Sequence, residues 1–202
     1  IHDNSALVNL IGLDSITELH QHCWLFDNVS LLNFIGLHNV QKFNSTFRVT
    51  GNASIQNFNG LNKVKSVGFF SVINNLSLKN FSGLNDLDSV EYSFEISSNP
   101  VLKNLEGLQN LKFTRRNSSF FINNNPSLCS INELNKVLML NNSYFTIHSN
   151  SSLSCCSIIQ TVLSNNPTLF SYFTIFNNAT GCNDTTEIMA ITTQNCCTTK
   201  YT

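Results

Sequence analysis

The chain has 202 residues, of which 11% are charged, and its formal net charge is −1. So small and balanced a charge excludes the basic surface that binding to nucleic acid or to an anionic membrane requires. The apolar runs are too short and interrupted to span a bilayer, and the opening residues lack a signal-peptide pattern. We therefore expect a mature chain, or a piece of a longer one, with no direct membrane insertion.

The sequence repeats with a period of about 24 residues, which is typical of a solenoid. Its clearest column is asparagine: Asn4, Asn28, Asn52, Asn75, Asn99, Asn125, Asn150 and Asn178. Apolar residues recur three, six and nine positions after most of these anchors, and five positions before them stand Cys23 and then phenylalanines from Phe47 to Phe173. A glycine column completes the pattern with Gly12, Gly36, Gly60, Gly83 and Gly107.

Such columns indicate a coil in which each inward side chain stacks on the same side chain one rung away. Burial of each Leu or Phe contributes about 1.5–3 kcal/mol, and the contributions accumulate along the array. The β-favouring tripeptides before the anchors, such as Arg48-Val49-Thr50, predict one parallel sheet. The glycines suit a corner that needs positive φ, and the anchor asparagines suit a turn. The prediction is an all-β, parallel β-helix of about eight rungs with uncapped ends.

The segment Asn75–Leu87, NLSLKNFSGLNDL, resembles the receptor L-domain. That family implies a right-handed, leucine-rich-repeat-like β-helix in an extracellular setting, but no particular ligand. The resemblance covers residues 1 to about 140 and weakens afterwards. Receptor L-domains usually carry helical caps, and we expect none at either end of this chain.

Two regions are expected along the chain. Residues 1–140 form regular rungs, and residues 141–202 form irregular, cysteine-rich rungs that continue the same solenoid. In the last rung the core columns carry Gly181, Asp184 and Glu187, which cannot form an apolar stack. We expect disulfides to replace the missing core there.

Six cysteines cluster in the last third of the chain and are the disulfide candidates: Cys129, Cys155, Cys156, Cys182, Cys196 and Cys197. They indicate an oxidising compartment, and their connectivity stays open, although Cys129 and Cys155 lie in adjacent rungs. Zinc is the weaker alternative, because vicinal cysteines lack the spacing of a tetrahedral site. The remaining cysteine, Cys23, replaces a phenylalanine of the core column and is predicted to be a buried free thiol.

When the two ends of the chain are joined, their sequence matches that of an internal strand. If Tyr201-Thr202 is placed before Ile1-His2, Tyr201 falls five residues ahead of Asn4, in the phenylalanine column. This predicts one unit of a tandem or head-to-tail array, with a junction at Ile1, His2, Asn4, Tyr201 and Thr202. The alternative is two frayed termini that share β-favouring residues by chance.

Ten asparagines lie in Asn-x-Ser/Thr sequons, and most of them belong to the asparagine columns. Amides in those columns are expected to be engaged in turn hydrogen bonds. The better candidates for N-linked glycans are Asn44, Asn117, Asn141 and Asn183.

No enzymatic site is predicted, since the acidic cluster Asp86, Asp88 and Glu91 has no counterpart in adjacent rungs. No metal or cofactor is expected, and His20 and His22 are interpreted as surface residues. The predicted function is structural: a glycosylated extracellular fibre or cell-surface stalk whose partners are further copies of itself and N-linked glycans. The alternative is a receptor or adhesion module that binds protein or carbohydrate, indicated by Trp24, Tyr92 and Arg115-Arg116.

Overall fold

The chain folds into a β-solenoid whose strands form one parallel sheet. The structure is a computed structural model and describes residues 1–113, 118–136, 144–165 and 173–191. The solenoid makes about six turns, against the eight rungs expected. The predicted all-β parallel solenoid is therefore confirmed.

The strands lie where the β-favouring segments precede the anchor asparagines. They are β1 (Glu18–Leu19), β2 (Cys23–Phe26), β3 (Lys42–Thr50), β4 (Ser66–Ile73), β5 (Ser89–Ser97), β6 (Lys112–Phe113), β7 (Ser119–Asn123), β8 (Tyr144–His148) and β9 (Phe173–Phe176). The sheet order is β1-β3-β4-β5-β7-β8-β9, with β2 also paired to β3 and β6 to β5. Register follows the repeat, so that Phe47 pairs with Phe70 and Val49 with Val72.

In the core, each apolar side chain packs on the equivalent side chain of the next rung. Phenylalanine rings of successive strands lie 5.5 Å apart between Phe70 and Phe94 and 4.4 Å apart between Phe120 and Phe145, measured between centroids. A second column on the opposite wall places Phe34 5.1 Å from Phe58, with nearly parallel rings. Since one rung offers only one side of each stack, burial is complete only where neighbouring rungs cover both faces.

Glycine at the corner is required by both conformation and space. Gly83 has φ 105°, and a Cβ built on it would overlap the backbone carbonyl of Phe58 in the preceding rung. The corner glycines from Gly12 to Gly107 all have φ between 104° and 112°. The predicted positive-φ corner is therefore confirmed, and the close approach of rungs explains why no larger residue occupies it.

Helices interrupt the last rungs, which corrects the expectation of a helix-free end. A 3₁₀ helix spans Asn132–Leu134, α1 spans Ser157–Asn165 and α2 spans Thr185–Met189. Within the described residues, no helix has the length and apolar character needed to cross a membrane. The rung that contains α1 is the longer one, with a separation of 28 residues between Asn150 and Asn178.

The buried residues of the last rung lie one position past two of the column positions. Gly181, Asp184 and Glu187 were assigned to the core columns, but the fully buried residues are Cys182 and Ile188. Asp184 instead caps α2 by accepting a hydrogen bond from the Glu187 N–H. The three predicted positions therefore form no apolar stack, as expected, and Cys182 is held in a disulfide with Cys156.

Candidate functional site: the asparagine ladder and the first face

The anchor asparagines form a continuous hydrogen-bonded column, which we call the asparagine ladder. The Nδ2 group of Asn75 donates to the carbonyls of Val49 (3.0 Å) and Ile73 (3.1 Å), and to Oδ1 of Asn99 (3.3 Å). The Asn75 backbone N–H donates to the same Oδ1 at 3.0 Å, and the Asn75 Oδ1 accepts from the backbone N–H of Asn52 at 3.1 Å. One side chain therefore links three successive rungs.

The same arrangement runs along the whole solenoid. From Asn4 to Asn150, the backbone N–H of each ladder member donates to the Oδ1 of the next at 3.0–3.2 Å. The six interior members have no exposed surface: Asn28, Asn52, Asn75, Asn99, Asn125 and Asn150. Buried amides of this kind must be hydrogen-bonded to be tolerated, and the ladder satisfies them with backbone and with one another.

A column of left-handed residues directly precedes the ladder and was not identified from the sequence. Its members are Asp3, Asp27, Gly51, Asn74, Ser98, Asn124, Ser149 and Asn177, and all have positive φ. The non-glycine members have φ between 53° and 58°. The available signal was composition, because this position carries only Asp, Asn, Ser or Gly, and most of these tolerate the left-handed region well.

The ladder closes within the chain at its far end. The backbone N–H of Asn178 donates to Oδ1 of Asn183 at 3.2 Å, and Asn178 Nδ2 donates to the carbonyl of Cys182 at 3.1 Å. Asn183 is held in turn, because its backbone N–H donates to Glu187 Oε2 at 3.0 Å. Asn183 thus takes the place of the next ladder side chain.

At the opposite end, the opening residues form the edge of the sheet. His2 pairs in parallel with Phe26, and the Asp3 N–H donates to the Phe26 carbonyl at 3.0 Å. Asn4 then joins the ladder by donating to Asn28 Oδ1. The predicted junction residues Ile1, His2 and Asn4 therefore have the register of an internal strand end, while Tyr201 and Thr202 lie outside the described residues.

Next to this edge is an apolar end surface, which we call the first face. It contains a cleft of about 170 Å³ whose lining includes Leu10, Leu13, Ile16, Leu19 and Cys23. These side chains belong to the same columns that are covered on both sides in later rungs. The first face is therefore the surface on which a further rung would complete the core.

Cys23 carries a free thiol at the first face. Burial raises the pKa of this thiol to about 11, against a smaller opposing effect of the N-terminal charge. Because the thiolate is the nucleophile, this raised pKa keeps Cys23 unreactive at neutral pH. Its pairing opposite Phe47 places it in the aromatic column assigned from the sequence.

A disulfide joins Cys156 to Cys182, with Cα atoms 6.0 Å apart, and ties the rung of α1 to the rung of α2. Cys155 is also disulfide-bonded. Cys129 lies beside Cys155 in the adjacent rung, where the Cys155 backbone N–H donates to its carbonyl at 3.1 Å. The last two disulfide candidates, Cys196 and Cys197, lie outside the described residues.

Two of the four glycan candidates lie in the described residues, and only Asn44 stands apart from the ladder. Asn44 is half-buried beside a β-bulge in β3, and its Nδ2 lies 3.1 Å from His20 Nδ1 and 3.4 Å from Glu18 Oε2 at an exposed contact. Asn183 is half-buried and bonds through Oδ1 and its backbone. Asn117 and Asn141 lie outside the described residues.

An exposed aromatic stack lies on the outer surface of the sheet around Trp24. Trp24 stacks between His22 and Phe26, with centroid distances of 5.0 and 5.8 Å, and the Arg48 guanidinium lies 5.6 Å from the Phe26 ring centroid. Tyr92 stacks elsewhere, on Phe69. These aromatic neighbours of Trp24 were not predicted from the sequence. Arg115-Arg116 lie outside the described residues.

The acidic cluster does not converge on one site. Asp86 and Asp88 share a surface cleft with Lys65 and Lys112, and Glu91 lies 3.9 Å from Lys42 Nζ. No group of three or more His, Cys, Asp or Glu side chains in the described ranges is placed to hold a metal ion.

Glu133 is the described carboxyl group with the least favourable surroundings. Its Oε2 is buried and has no hydrogen-bond partner among the described residues. Burial raises the pKa of Glu133, although backbone hydrogen bonds at Glu133 and Leu105 oppose the shift. The group lies in the 3₁₀ helix, at the point where the regular solenoid ends.

Comparison with known proteins gives no match to a family model, to a curated protein or to a solved structure. The resemblance to the receptor L-domain therefore stays an expectation from the motif.

Proposed function

We propose that this chain is a non-enzymatic extracellular structural protein, a repeat unit of a glycosylated fibre or cell-surface stalk assembled end to end. The observation that carries the proposal is the strand edge at Ile1–Asn4. These residues have the register, the left-handed Asp3 and the ladder asparagine of a complete rung.

The chemistry of the first face supports a further rung as its cover. The cleft is lined mainly by Leu and Ile columns, and its edge strand offers backbone groups for parallel pairing. Exposed strand edges of this kind are pairing templates and are normally covered. A rung with the same columns would match both the apolar lining and the backbone register.

The closed end of the ladder defines how two units would meet. Asn183 occupies the acceptor position for Asn178, so a following unit need not supply that contact. In the assembled fibre, each unit therefore begins a new ladder at Asn4. Continuity between units then depends on strand pairing and on apolar burial at the first face.

An extracellular location fits the chemistry of the last rungs. The Cys156–Cys182 disulfide is of the kind that persists in oxidising compartments. With few charges on the chain, attached sugars at Asn44, Asn117, Asn141 and Asn183 would supply hydration to the surface.

A covalent tandem tests the proposal directly. Two copies are fused with Thr202 joined to Ile1. The matched control carries a three-residue insertion of glycine and serine at the joint, which shifts the strand register between the two copies. We expect the direct fusion to unfold at higher urea concentration than the single unit, because the joint buries the first face of the second copy. Equal unfolding midpoints for the two fusions would contradict end-to-end continuity.

Assembly of the single chain is tested at the strand edge. His2→Pro removes the backbone N–H that parallel geometry directs away from β2, and His2→Ala is the matched control. We expect the mass from light scattering to rise with concentration for the parent chain and for His2→Ala, but not for His2→Pro. A sharp monomer of the parent chain at every concentration would contradict non-covalent assembly.

The second candidate function is an adhesion or receptor module, favoured by the stack of His22, Trp24 and Phe26. Exposed aromatic rings with a neighbouring arginine are suited to protein or carbohydrate recognition. Binding to immobilised oligosaccharides would support this function if Trp24→Ala abolished it and Phe69→Ala did not. Absence of binding by the parent chain across the panel would count against a carbohydrate ligand.

A further inference from the structure

The asparagine ladder overlaps with the sequence signal for N-glycosylation. Five ladder members begin an Asn-x-Ser/Thr sequon: Asn28, Asn52, Asn75, Asn150 and Asn178. A sixth, Asn125, is followed by Pro126 and Ser127, and proline at the middle position excludes it as an acceptor. The atom that an N-linked glycan would modify is the same Nδ2 that holds the ladder together.

In the folded chain this nitrogen is fully engaged. Asn150 Nδ2 donates to the carbonyls of Ile122 and His148, both at 3.0 Å, and to Asn178 Oδ1 at 3.1 Å. Asn150 has no exposed surface, and neither do Asn28, Asn52 and Asn75. An amide nitrogen in this position has neither a free hydrogen nor space for a substituent.

N-glycosylation changes the bonding of that nitrogen. Nδ2 attacks C1 of an oligosaccharide carried on a lipid pyrophosphate, the new C–N bond forms, and the C1–O bond breaks to release the lipid pyrophosphate. Nδ2 loses one proton and keeps one N–H, so it can no longer donate to carbonyls on two neighbouring rungs and to Oδ1 of the next asparagine. The sugar would also occupy the volume filled by the adjacent rung.

We propose that the ladder asparagines are sites of two alternative fates, and that glycosylation of the nascent chain at a ladder sequon covalently prevents completion of the solenoid. In a compartment with oligosaccharyltransferase, each ladder Nδ2 either enters the ladder or accepts a glycan. The order of folding and modification therefore decides how much chain becomes solenoid. Asn44, outside the ladder, accepts a glycan without this consequence because its Nδ2 lies at an exposed contact.

The test removes the sequons but keeps the ladder. One variant carries Ser30→Ala, Ser54→Ala, Ser77→Ala, Ser152→Ala and Thr180→Ala, which eliminate the five ladder sequons at their third position. The matched control carries Thr46→Ala, Ser119→Ala, Ser143→Ala and Thr185→Ala, which eliminate the four sequons of the glycan candidates. Both are expressed behind a secretion leader in cells that N-glycosylate, and each extract is divided into protease-resistant and protease-sensitive chains.

Glycan positions are mapped by amidase treatment in ¹⁸O water, which converts each occupied asparagine to labelled aspartate. We expect ladder glycans only in protease-sensitive chains, and a larger resistant fraction for the ladder-sequon variant than for the parent or control. A ladder glycan in a protease-resistant chain would overturn the proposal, and so would ladder sequons left unmodified in both fractions.

Production in a host without oligosaccharyltransferase separates glycosylation from direct effects on stability. Ser54 Oγ donates to the Val29 carbonyl at 2.6 Å, so the ladder-sequon variant loses a hydrogen bond. It should therefore be no more protease-resistant than the parent in that host, and a gain there would overturn the proposal. The inference does not depend on end-to-end assembly, since it concerns a single chain.

Discussion

Replacement of Asn75 by alanine tests whether the ladder is a principal source of stability. The change removes the donor to Val49 O and Ile73 O and the acceptor of the Asn52 N–H. An orphaned, buried N–H costs about 1–3 kcal/mol, and each lost carbonyl bond costs about 1 kcal/mol. We therefore expect Asn75→Ala to lower the free energy of unfolding by about 3–5 kcal/mol, a large share of a typical total.

The measurement is urea unfolding of chain produced without glycosylation, followed by circular dichroism. Asn59→Ala is the control, because Asn59 is an exposed asparagine at a corner outside the ladder. Asn4→Ala, at the exposed end of the ladder, should have an intermediate effect because fewer rungs depend on it. If Asn75→Ala and Asn59→Ala agreed to within about 0.5 kcal/mol, the usual range of surface substitutions, the ladder argument would be refuted.

The aspartate variant at the same position separates shape from hydrogen bonding. Asn75→Asp keeps the volume but directs a carboxylate at two carbonyls, which should raise the pKa of that carboxyl above the value of about 3.9 in the unfolded chain. A raised folded-state pKa means that stability falls as pH rises from the unfolded-state value through the folded-state value. The variant should therefore be closest to the parent in acid, and a pH-independent difference would contradict this.

Further substitutions test the corner, the disulfide and the buried carboxyl. Gly83→Ala should lower the urea midpoint strongly, since it meets a backbone carbonyl at a positive φ, whereas Gly12→Ala, with open space around it, should cost less. Replacing Cys156 and Cys182 together by serine should cost about 2–4 kcal/mol in the unfolding free energy, with an unchanged far-ultraviolet spectrum at low temperature. Glu133→Gln should raise stability at pH 7, because a raised folded-state pKa makes the native Glu133 lose stability as pH rises; equal pH profiles for the two chains would contradict this.

The sequence by itself determined the regular part of this protein. The period, the apolar columns and the glycine corner could all be predicted, because in a solenoid each inward residue packs on its own counterpart one period away. The column before the ladder, from Asp3 to Asn177, was readable in principle, since its composition is restricted to residues that suit a left-handed conformation.

Tertiary structure alone decided the features that depend on contacts without a repeated counterpart. The capture of Asn178 by Asn183, the shift of the core to Cys182 and Ile188, and the helices of the last rungs all break the period. The buried residues Cys182 and Ile188 each stand one position past the columns at Gly181 and Glu187, and this shift is already present before α2 begins. The ladder is an intermediate case. Its asparagine column could be identified in the sequence, but the hydrogen bonds between residues some 24 positions apart are seen only in the stacked rungs of the structure.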